Sequence, residues 1–64
     1  MSIEGYFEGI LRNWDNSKHT PGMVNDMKSV LRQFDTSITL DEISDEKKDI
    51  LSRRFNQIRK EVYK

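Results

Sequence analysis

Ser44–Tyr63, SDEKKDILSRRFNQIRKEVY, is the longest stretch of the chain with no Gly, Pro or turn cluster. Within it Leu51, Phe55, Ile58 and Val62 recur at steps of 4, 3 and 4, which places them on one side of a 3.6-residue helix. Ile50 flanks this seam. Ser44 fits an N-cap, and the helix start is acidic (Asp45, Glu46, Asp49) while its end is basic, the order the helix dipole favours. The seam is narrow, as suits a helix packed between two others or against a copy of itself. Two heptads are too few for a coiled coil.

Upstream lie two shorter amphipathic segments that need such a partner. Ile3, Tyr6, Phe7, Ile10, Leu11 and Trp14 fall at offsets 0, 3, 4, 7, 8 and 11, one face of a helix over about 2–16. Ser2 is its N-cap and Glu4 sits in its first turn. Gly5 and Gly9, each costing about 0.8–1 kcal/mol relative to Ala in a helix interior, make it intrinsically weak. Thr20-Pro21 then reads as an N-cap followed by Pro at the first helical position. Met23, Val24, Met27, Val30, Leu31 and Phe34 form the apolar face of a second helix over about 21–35. Asp35-Thr36-Ser37 reads as a break. Thr39-Leu40-Asp41-Glu42 has the spacing of a capping box, so the last helix begins at 40 or at 45 and runs to 63.

These segments predict an all-α fold, a small three-helix bundle in antiparallel up-down-up order, with a homodimer as one route to extra stability. At 1.5 Å per residue the first two helices span about 22 Å and the third about 28 Å. The third is therefore expected to overhang by a turn, leaving Arg59, Val62 and Tyr63 uncovered. A chain of 64 residues is one domain, burying only about 60% of its unfolded surface. With no cysteine and a single histidine, neither disulfides nor a thiolate or all-imidazole metal site can staple it.

Composition narrows the function. Equal numbers of basic and acidic residues, 11 each, lower the expectation of a general nucleic-acid binder. No apolar run approaches a membrane span, and the start has neither the cationic nor the apolar region of a secretory signal. With no cysteine, the expected setting is the cytoplasm. His19 lies in a polar connection without an acid–nucleophile arrangement nearby. The acidic pairs Asp41/Glu42 and Asp45/Glu46 lie at helix starts, where the dipole explains them. A bundle of this size is also expected to lack a pocket of the volume enzymes use. The reading is a non-enzyme with no cofactor and no metal.

Two binding surfaces stand out. One is the expected overhang with the Trp14 edge: Trp14, Arg59, Val62 and Tyr63, residue types that anchor protein interfaces. The other is the basic face of the last helix, Arg53, Arg54, Asn56, Gln57, Lys60 and Lys64, where Arg, Asn and Gln could read base edges and Lys could meet phosphates. Against it, DNA-recognition helices contact bases near their N-terminus, which here is acidic. Gly5-x-x-x-Gly9 permits a close backbone approach, though tolerance of a poor helix is the preferred reading. Met23 and Met27 read as core before they read as a groove. The first expectation is thus a small protein-binding regulator or inhibitor, adaptor- or antitoxin-like and of phage or mobile-element type. The alternatives are a nucleic-acid-binding regulator and a self-associating structural subunit.

Overall fold

The computed structural model describes residues 2–64 and consists of three helices: α1 (Ile3–Asp15), α2 (Pro21–Thr39) and α3 (Asp45–Val62). Each starts where a hydroxyl can satisfy orphan N–H groups. Ser2 Oγ accepts from Gly5 N at 3.0 Å, Thr20 Oγ1 from Met23 N at 3.2 Å and Ser44 Oγ from Lys47 N at 3.4 Å. Pro21 occupies the first turn of α2.

Cross-helix contacts fix the topology. Glu4, Glu8 and Asp15 of α1 meet Ser44, Lys47 and Arg54 in that order, so α1 and α3 run parallel. Tyr6 meets Gln33, while Lys28 and Asp35 meet Tyr63 and Arg59. Thus α2 runs antiparallel to both, and the bundle is up-down-up. One phenylalanine from each helix forms the centre. Phe7 stands edge-on to Phe34 and Phe55, at 5.3 and 5.7 Å between ring centroids, and Phe34 tilts against Phe55 at 4.6 Å. Leu31, Leu51, Ile58 and Ile43 close around them.

The second helix is longer than its sequence suggests. Asp35-Thr36-Ser37 does not break it, because Asp35 and Thr36 find side-chain partners without leaving helical geometry and Ser37 fits into the core. Thr36 and Thr39 hydroxyls donate to the carbonyls four residues back, Arg32 O at 3.0 Å and Asp35 O at 2.9 Å. Asp35 is paired with Arg59, and Ser37 is buried. The helix ends instead in a Schellman motif: Asp41 N donates to Ile38 O and Glu42 N to Ser37 O, with Asp41 left-handed at φ 57°. The capping box at Thr39 therefore does not form, and 40–44 is the connection, pinned by Ile43, which is 2% exposed.

With 19 residues in α2 and 18 in α3, the expected overhang disappears. Val62 is buried, Arg59 donates to both carboxylate oxygens of Asp35 at 2.9 and 3.2 Å, and only Tyr63 stays exposed, with Lys28 Nζ 5.4 Å from its ring centroid. At the start of α3, Glu4 Oε1 accepts from Ser44 N at 2.8 Å. This bond, a second from the Ser44 side chain and the nearby Lys47 hold the Glu4 carboxyl below its ordinary pKa.

Candidate functional site

α3 covers only part of the apolar stripes on α1 and α2. Phe7, Leu11 and Trp14 turn to the core, as do Met27, Leu31 and Phe34. Ile3, Ile10, Met23 and Val30 are half-buried, and Tyr6 is 41% exposed. These lie along the seam between α1 and α2, where they line an open trough. The Tyr6 hydroxyl donates to Gln33 Oε1 at 3.0 Å and divides the trough in two. One section, about 440 Å³, runs past Gly5, Gly9, Ile10, Met23, Met27 and Val30; the other, about 580 Å³, past Ile3, Phe7 and the Ser29–Ser37 part of α2. A concavity of this size was not expected of so small a bundle. It arises because both stripes are wider than the strip that α3 buries.

The two glycines of α1 open onto this trough. A Cβ on Gly9 would meet no atom within 4 Å, and one on Gly5 would meet only the Ser2 hydroxyl, at 3.2 Å. Gly9 lies in the helix interior with a negative φ, so neither backbone geometry nor internal packing requires it. It nonetheless costs α1 about 0.8–1 kcal/mol relative to Ala. What it leaves is a flat wall with Met23 and Met27 opposite, whose unbranched thioethers are adaptable side chains.

The residues singled out from sequence are distributed differently. Trp14 is 3% exposed, its indole stacked on the His19 ring at 3.6 Å between centroids, and His19 Nε2 hydrogen-bonds Trp14 O at 2.9 Å. His19 is thus a cover for the Trp14 ring as well as a loop residue. Trp14 and Val62 both line a concavity of about 390 Å³ with His19, Val24, Glu61 and Lys64, but both are core side chains; Arg59 is committed to Asp35 and is not among the lining residues. On the basic face, Arg54 is similarly committed, Nη2 donating to both oxygens of Asp15. Arg53, Asn56, Gln57 and Lys60 are exposed on the outside of α3, whereas Lys64 lies beyond the end of the helix, on the Trp14 concavity. Among the described residues, Arg53, Lys60 and Lys64 make no ion pair.

Among the described residues no group of three or more His, Asp or Glu side chains is placed to hold a metal ion, and no helix is long and apolar enough to cross a membrane. The trough combines apolar side chains and a bare stretch of helix backbone with the Tyr6–Gln33 pair at its waist, and Asn13, Asp26, Ser29, Arg32 and Thr36 add polar groups along it. Comparison with protein-family models, with curated proteins and with solved structures finds no match.

Proposed function

We propose that this chain is a non-enzymatic protein-binding module, a small regulator or inhibitor, and that its docking surface is the α1/α2 trough rather than the end of α3. The observation that carries this reading is Gly9: a helix-weakening residue, without an internal reason, on the wall of an apolar trough. Cores and interfaces reward close packing, and a bare backbone beside Met23 and Met27 offers another polypeptide that packing. A reducing compartment suits a chain without cysteine. Tyr63 stays exposed and can contribute at the margin, whereas Trp14, Val62 and Arg59 are engaged within the bundle.

The test is parallel affinity capture with the wild type and Gly9→Gln after nuclease treatment. Gln favours the helix and projects into the trough. The expected result is a captured protein lost on substitution while helicity is kept or raised. An identical captured set from both chains rejects the trough as the surface.

One observation favours a second reading, nucleic-acid binding: Arg53 and Lys60 share an exposed face of α3 with Gln57 and carry no internal counter-charge among the described residues. Binding through them would fall steeply with salt, since each neutralised phosphate releases counterions. Absence of a mobility shift with duplex DNA or RNA at about 50 mM salt rejects it.

A further inference from the structure

Resting on the trough as docking surface, we infer that its occupant is a second copy of this chain, docked antiparallel to form a weak two-fold dimer. Two side chains of opposite sign flank the middle of the trough, one in each of its sections. Asp26 lines the section beside Gly9, and Arg32 lines the section beyond Tyr6. Neither makes an ion pair among the described residues; Arg32 reaches only the Ser29 hydroxyl, at 3.2 Å. They stand six residues apart on α2, about 9 Å along its axis.

A two-fold axis lying in the interface and crossing the helices near the level of Ser29 reverses one trough over the other. It carries the Asp26 section of each copy to the Arg32 section of its partner, so both unpaired charges find their opposites twice over. Isologous contacts need this self-complementarity. In the antiparallel register that the Tyr6–Gln33 bond sets, residues about as far along α1 as Ser29 lies along α2 are Gly9 and Ile10. The α1 helices of the two copies therefore cross where the backbone is bare. A parallel arrangement would leave like charges together.

The footprint sets the strength. α1 has 13 residues, about 20 Å of helix, and two helices side by side are about 20 Å wide, giving a flat footprint of about 400 Å² per copy. Standard stable interfaces bury about 800 Å² per partner, so the dimer is transient.

Sedimentation equilibrium from about 5 µM to about 1 mM at low salt tests this, with monomer expected at the low end of the range and dimer appearing towards the high end. Asp26→Arg sets like charges together twice and is expected to weaken the dimer at least about tenfold, about 1.4 kcal/mol. The swap Asp26→Arg with Arg32→Asp is expected to restore it to within about threefold. Far-UV circular dichroism checks that each variant is folded. A chain that is monomeric at about 1 mM overturns the inference. So does a dimer indifferent to Asp26→Arg, or one that the swap fails to restore. Gly9→Gln separates the two levels of the claim. If the wild type is monomeric yet its protein capture is lost on this substitution, the second copy is excluded and the trough belongs to a different polypeptide. If neither association nor capture responds, both readings fall.

Discussion

Replacing Gly9 by Ala should stabilise the isolated chain, and the amount follows from its surroundings. The position is the seventh of 13 in α1, inside the helix at both ends, so the full interior difference between Gly and Ala applies, about 0.8–1 kcal/mol. The added methyl meets no atom within 4 Å, so no steric cost offsets the gain and no burial adds to it. With unfolding entropy of about 2.1 cal/mol/K per residue, a chain of 64 residues rises in Tm by about 6–7 °C. Gly5→Ala is the internal control. Gly5 lies in the first turn, and its Cβ would press on the Ser2 hydroxyl at 3.2 Å, the atom that caps it. Its gain should be smaller than that of Gly9→Ala. The assay is thermal unfolding by circular dichroism at about 5 µM, below any weak self-association. A Tm lowered by Gly9→Ala at that concentration would refute the reasoning, because Gly9 would then have an internal role that the geometry does not contain.

Other expectations follow from single contacts. Asp41 holds the left-handed end of α2 at φ 57°, a conformation that suits Gly better; Asp41→Gly should raise stability by about 0.5–1 kcal/mol, read as a higher urea midpoint at unchanged m. Glu4 has a depressed carboxyl pKa, so its folded value lies below its unfolded one. Its contribution is present above the unfolded value and disappears as pH falls through the folded value. Acid titration of Tm should therefore show a loss below about pH 4.5, and Glu4→Gln should flatten that part of the curve. An unchanged profile in Glu4→Gln would assign the acid loss to other carboxylates.

How much of this was legible beforehand depends on the range of the interaction. The faces of α1 and α3 could be read because period and caps are local: Ser2, Thr20 and Ser44 cap where their spacing implies. The end of α2 could not, because Asp35, Thr36 and Ser37 have loop-forming composition. Only tertiary context shows Asp35 taken up by Arg59, 24 residues away. A break at Asp35 would shorten α2 and leave Arg59 and Val62 uncovered, whereas the continuous helix engages both. The trough had its signals in plain sight in Gly5, Gly9, Met23 and Met27. Each alone has an ordinary explanation, and nothing local reveals that α1 and α2 bring them face to face. Ile43 was likewise missed as core, since no helical period marks a residue that is buried from a loop.

The most direct measurement of the central claim is a concentration series of amide chemical shifts on the isotopically labelled chain, which locates the contacting surface without mutation. The account predicts concentration-dependent shifts at Gly5, Gly9, Asp26, Val30 and Arg32, on the trough and its borders, with Arg53, Gln57 and Lys60 on the outer face of α3 unmoved. Shifts confined to α3, or none up to about 1 mM, would contradict it.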